Sequence, residues 1–373
     1  MKAMLAKRLV ADLMKWNMEK ATQEFAWLEL MVDYKFDHYQ GYGAGHRFYV
    51  HLLQWISSFK SEADRECAYA LLRKRLIYIS QREMHHLVNL SWPKIASQMR
   101  KAIARRLDIP VYQVSQLPEA RRQLKVMQTR TLYVGVSDGA RIDVFRRYNE
   151  GEISNEQVVP MAEISINKQK SLCEKLQERL IKLESTEPAE FEWVCLIDDF
   201  TGSGTSSIRV DEKGTNWDGK VDKFIKDNAL QEDHPFIAKG AHILVHHYLA
   251  SALAAAQVRE LLGKYQAQQP DFTFIPSFSH ELPAGIKIDA EIDPALEALL
   301  KARYDPSIET THTKRDIWLG YKQCGLPLVL DHNAPNNSVA TLWARSNPEK
   351  EEYIPANHMS PLFPRRQRHS DAR

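Results

Sequence analysis

No apolar run approaches the roughly 18 residues that a membrane-spanning helix needs, so no membrane partner is expected. The first residues, MKAMLAKRLVADLMKWNMEK, are interrupted by Lys7, Arg8, Asp12 and Lys15 and lack the apolar centre of a secretory signal. Cysteine is scarce: Cys67, Cys173, Cys195 and Cys324 stand far apart with no CxxC. That argues against a disulfide framework or a structural zinc site, and makes the reducing cytoplasm the expected compartment. A charge excess of one sign is missing too, since 50 Lys plus Arg face 48 Asp plus Glu for a net +2. The chain is therefore not uniformly polybasic. Over the first 125 residues or so, internal repeats and low-complexity segments are absent. What remains is an ordinary globular composition, 44% hydrophobic and 26% charged over 373 residues, enough for two domains or for one large domain with an extension.

Helical spacing dominates the first third. Leu5, Leu9, Leu13 and Trp16 recur on one helical face, and further helical runs cover about 46–59, 62–79 and 94–107. Beyond residue 126 the pattern changes. Short apolar runs at Leu132–Val136, Trp193–Ile197, His242–His246, Phe272–Ile275 and Pro327–Leu330 read as buried strands. Helical patterns at about 163–184 and 250–267 lie between them. Strands alternating with helices predict a parallel sheet covered on both faces. The expected division is a helical N-terminal domain, 1–125, and an α/β domain, 126–373, with a basic tail.

The most informative stretch is Val194-Cys195-Leu196-Ile197-Asp198-Asp199-Phe200-Thr201-Gly202-Ser203-Gly204-Thr205-Ser206. Four apolar residues carry the backbone through the core. Two carboxylates then stand at the carboxyl end of the strand, where open α/β sheets bind ligands. Gly202 and Gly204 permit backbone conformations and close approaches that a Cβ would block. Backbone N–H groups, the hydroxyls of Thr201, Ser203, Thr205 and Ser206, and the start of a following helix would together cradle an anion. A valine at position 204 is expected to block that cradle without disturbing the fold. The GK[ST] lysine of a P-loop is absent, and acids precede the glycines where a dinucleotide fingerprint has none.

Two further segments belong with it. Ser137-Asp138-Gly139-Ala140-Arg141 follows the first strand of the same domain. There Gly139 would let the backbone fold towards an anion, and Arg141 would offer it a bidentate donor. Asp331-His332-Asn333-Ala334-Pro335-Asn336-Asn337-Ser338 follows the fifth apolar run. It offers directed hydrogen bonds to a sugar or base, or is a plain turn.

The acid pair and its loop resemble the phosphoribosyl-pyrophosphate (PRPP) signature of type I phosphoribosyltransferases. In that signature four apolar residues and two acids precede a loop ending in Thr-Gly-x-Thr. Here the ending is Ser203-Gly204-Thr205-Ser206, with Ser in both usual Thr places. The resemblance implies that Asp198 and Asp199 face the ribose, that Thr201 to Ser206 hold the 5-phosphate, and that Ser137, Asp138, Gly139 and Arg141 serve the pyrophosphate. Asp198, Asp199 and Arg141 are then the catalytic candidates. Mg²⁺ would arrive with the pyrophosphate. His332, Asn333, Asn336 and Asn337 would stand on the acceptor side, with His332 as the candidate base. The segments SDGARID, IDDFTGSGTS, DHNAPNNS and FPRRQRH, over about 130–370, are similar to phosphoribosyltransferase-like effectors of bacterial anti-phage systems, some of them retron-associated. Such a protein would bind PRPP or a nucleotide, as an enzyme or as a non-catalytic sensor, and would partner a reverse transcriptase, a nucleic acid or another defence protein.

Residues 94–147 contain twelve Lys or Arg against four acids. A nucleic-acid backbone would be attracted to them in a salt-dependent way, and a solvated helix face is the alternative.

Overall fold

Five apolar strands form one parallel sheet in the computed structural model, which describes residues 3–45, 47–160, 162–228, 235–311, 313 and 315–365. They are β1 (Thr131–Gly135), β2 (Val158–Val159), β3 (Phe191–Thr201), β4 (Ile237–Ser251) and β5 (Thr273–Leu282). Their spatial order is β2-β1-β3-β4-β5, with every neighbouring pair parallel. The chain begins in the middle, steps outward to β2, then returns past β1 to build β3, β4 and β5. The direction of winding therefore reverses between β1 and β3, and the carboxyl ends of those two strands flank the crevice that such a reversal opens.

Both faces of the sheet are buried, which is why its central strands read as continuous apolar runs. Leu132 and Val134 of β1, Val194 and Leu196 of β3, and Ile243 and Val245 of β4 share one core. That core also takes Leu172 and Leu176 of the helix Ile166–Lys182, Phe224 of Lys220–Asn228 and Val258 of Ala252–Gln268. The alternate residues Tyr133, Cys195, Ile197 and Leu244 point the other way and are fully buried too.

The chain divides into two compact units, residues 84–282, and residues 1–83 with 283–373. The expected boundary near 125 falls inside the sheet-bearing unit, in the helix Pro118–Thr129. The other unit gathers helices such as Met18–Tyr34 and Phe48–Ser57 around an aromatic core. In that core Phe36 stacks on Phe48 at 4.6 Å and meets Phe363 edge-on at 5.6 Å.

Two expectations about strands are corrected. The helical run over 62–79 ends early, because Ile77–Ile79 is a strand. Its partner is Leu328–Leu330, in parallel register Ile77–Leu328, Tyr78–Val329 and Ile79–Leu330. The fifth apolar run is thus no member of the large sheet, and the Asn-rich segment after it belongs to the unit of residues 1–83 and 283–373. The sheet's remaining member is instead β2, the two-residue edge strand Val158–Val159. Of the basic tail, Arg365 lies over Trp343 at 5.7 Å, while Arg366 and Arg368 lie outside the described residues.

Candidate functional site

The loops after β1 and β3 meet at the crevice. Ser137 Oγ donates to Asp198 Oδ1. A Cβ placed on Gly139 would stand 2.7 Å from Asp199 Cγ, so glycine is what lets this loop lie against the second acid. Tyr248, fully buried on β4, donates its hydroxyl to Ala140 O at 2.7 Å and anchors the same loop. Arg141 follows at φ +44°, a left-handed conformation rarely taken by a residue with a side chain.

The two acids differ. Asp198 is 2% exposed, and both of its oxygens are engaged within the protein. Oδ1 accepts from Ser137 and from the Asp199 N–H at 3.2 Å, and Oδ2 pairs with the Lys220 ammonium. Burial pushes the Asp198 carboxyl upward, against the pull of Lys220. Asp199 is half-buried, and its Oδ1 accepts from the Phe200 N–H at 2.9 Å.

The glycine loop is shaped from within. Gly204 takes φ +81°, and its N–H donates to Thr201 Oγ1 at 3.1 Å. Ser203 and Thr205 share a hydroxyl hydrogen bond of 2.9 Å. Ser251 caps the helix Ala252–Gln268 and donates to Gly202 O at 2.6 Å, tying the loop to that helix. The N–H groups of Ser203, Thr205 and Ser206 donate to no protein acceptor among the described residues. Backbone N–H groups gathered in one turn can hold an anion.

Two expectations about this loop are revised. No helix starts directly after it. A short hairpin, Arg209–Val210 against Trp217–Asp218, comes first, because Asp211 accepts the Thr215 N–H at 2.9 Å and closes a turn. Helix Lys220–Asn228 begins only then. Gly204→Val would not leave the fold untouched, since a Cβ there meets Val258 Cγ2 at 3.3 Å and Ala254 O at 3.4 Å at a strained φ.

Lys220 escaped the sequence reading. Its only local signal is the turn Asp218-Gly219-Lys220. Gly219 sits at φ +114°, where a Cβ would stand 2.8 Å from Ser207 O, so glycine is needed to bring the lysine round. The Ser207–His247 pair was missed as well. Ser207 Oγ and His247 Nε2 are 2.7 Å apart, and both residues are buried. A cavity of about 10 Å³, room for roughly one water, touches Asp198, Lys220, Ser207 and His247. His246 is held by Ser277 at 2.9 Å and Ser279 at 3.0 Å, as a structural histidine should be.

In the other unit, the Asn-rich segment uses its polar groups to fold itself. Asn333 N–H donates to Leu330 O, and Asn336 O accepts from Tyr321 N–H. Asn337 is buried and donates to Tyr321 O at 3.4 Å. His332 Nδ1 lies 3.2 Å from Asp331 Oδ1. Trp343 is core, with its indole N–H on Ser338 O at 2.8 Å.

Neither a curated protein nor a solved structure matches the chain. The PRTase-CE family model matches residues 52–365, a span that includes the β1 loop, the acid pair, the glycine loop and Lys220. The chain belongs to the PRTase-CE family and is phosphoribosyltransferase-like.

Proposed function

We propose that this protein binds PRPP or a nucleotide through its 5-phosphate and ribose at the end of β3. The carrying observation is the turn after Asp199, whose Ser203, Thr205 and Ser206 N–H groups have no protein acceptor among the described residues. Those donors suit a phosphate, with the hydroxyls of Thr201, Ser203, Thr205 and Ser206 beside them. Of the acid pair, Asp199 is the less buried member and suits the ribose hydroxyls. Ser137, Asp138, Gly139 and Arg141 flank the same crevice and suit the pyrophosphate, on whose oxygens Mg²⁺ enters as part of the substrate.

If C1–O cleavage occurs, positive charge grows on the sugar and negative charge on the leaving pyrophosphate. Asp199 would stabilise the first and Arg141 the second. The role assigned to the whole chain is that of a phosphoribosyltransferase-like effector of a bacterial anti-phage system of the retron type. The family assignment and the four segments SDGARID, IDDFTGSGTS, DHNAPNNS and FPRRQRH support that role. His332, Asn333, Asn336 and Asn337 are offered as the acceptor side on the segment resemblance alone.

The test is titration of PRPP with Mg²⁺, of ribose 5-phosphate and of nucleotides, with pyrophosphate release followed in parallel. Saturable binding with release identifies an enzyme, and saturable binding without release identifies a sensor. No binding of any of the three overturns the proposal.

A further inference from the structure

We propose that Asp198 and Lys220 form an internal strut that positions the site, and that neither touches the ligand. The ligand part of this inference rests on the phosphate-sugar reading above. A carboxylate has about four lone-pair positions to offer. Three of those of Asp198 already receive Ser137 Oγ, the Asp199 N–H and the Lys220 ammonium, in a residue 2% exposed. One position is left, but at 2% exposure a ribose hydroxyl could reach it only by displacing a donor or opening the packing around the carboxylate, which is costly in a low-dielectric site.

The same three contacts join three separate elements. Ser137 belongs to the loop after β1, Asp199 to the end of β3, and Lys220 to the start of the helix Lys220–Asn228. Lys220 is fixed from its backbone as well, its N–H donating to Ser206 O at 3.1 Å, in the last residue of the glycine loop. The strut therefore sets the spacing between the β1 loop, the second acid and the glycine loop. The adjacent acids have different work: Asp198 holds the frame, and Asp199 faces the ribose.

The experiment is a double-mutant cycle on the full chain: wild type, Asp198→Asn, Lys220→Met and the double variant. Lys220→Met leaves the buried Asp198 carboxylate without its counterpart and Asp198→Asn leaves the partly exposed Lys220 without its own, whereas the double change removes the charge from both. In thermal unfolding without ligand, both singles melt below wild type and the double variant melts above either single. A double variant no more stable than the singles overturns the strut. Calorimetry with ribose 5-phosphate on the folded proteins then reads position rather than stability. Each single variant weakens binding by at least about tenfold, while the double variant and Lys220→Arg return to within about threefold of wild type. A double variant that binds more weakly than either single would place Asp198 or Lys220 directly on the ligand and refute the inference. If wild type binds neither ribose 5-phosphate nor PRPP, the phosphate-sugar reading falls, and the unfolding cycle alone still decides the strut.

Discussion

Ser137 donates its hydroxyl to the Asp198 carboxylate, and that hydrogen bond joins the loop after β1 to the carboxyl end of β3, the two strands flanking the sheet's reversal. The residues are 61 positions apart in sequence. The crevice predicted by strand order and the crevice marked by polar residues are the same place.

The packing of Gly139 against Asp199 gives the first prediction. Gly139→Ala pushes a methyl group into the Asp199 carboxylate, which must turn away. Ribose 5-phosphate affinity should fall by about tenfold or more, with the melting temperature changed by only a few degrees. Calorimetry and thermal unfolding of the same sample check this, and unchanged affinity would contradict the placement of Asp199.

Arg141 tests strain against chemistry. Its φ of +44° costs on the order of 1–2 kcal/mol that glycine would not incur. Arg141→Gly should therefore hold or raise stability while weakening pyrophosphate binding, and Arg141→Lys should keep part of that binding. Urea unfolding beside pyrophosphate titration separates the two effects. A glycine variant that binds pyrophosphate as wild type does would remove Arg141 from the site.

Ser207→Ala should destabilise by about 1–3 kcal/mol, because the buried His247 ring then loses its partner at Nε2 while Nδ1 has none among the described residues. A shift in the urea midpoint with an unchanged slope is the expected result.

Acid should weaken the fold through His246 and His247. Burial pushes both imidazoles down from the ordinary 6.5 to about 3. The unfolded chain takes up protons that the native chain excludes. Their contribution is thus complete above about pH 6.5 and is lost as pH falls towards 3, at up to about 1.4 kcal/mol per pH unit for each histidine. Urea midpoints measured from pH 7 to pH 4.5 should fall more gently in His246→Asn than in wild type. Equal slopes would mean that His246 is not held neutral.

Much of this was legible because apolar runs report burial. Leu132–Val136, Trp193–Ile197, His242–His246 and Phe272–Ile275 all lie in or overlap strands of the sheet. The same property misled at Leu328–Leu330, since a buried strand looks alike whichever strand it pairs with. Ile77–Ile79 was hidden at the end of a helical pattern, and the two-residue Val158–Val159 carries too little pattern to see. A unit that leaves the chain at 83 and resumes at 283 has no compositional seam to read.

In the site, Asp198, Asp199 and the glycine loop stood out because their spacing in sequence is their spacing in space. Lys220 did not, because a hairpin separates it from the acid it meets. The unequal burial of two adjacent acids is likewise a property of the fold, invisible in the letters Asp-Asp.

The most direct test of the whole account is calorimetric titration of ribose 5-phosphate into wild type and into Asp199→Asn, at one ionic strength and well below the melting temperature of both. The account predicts one saturable site in wild type and an affinity lower by about tenfold or more in the variant. Equal affinity in the two proteins, or no binding to wild type, would contradict it.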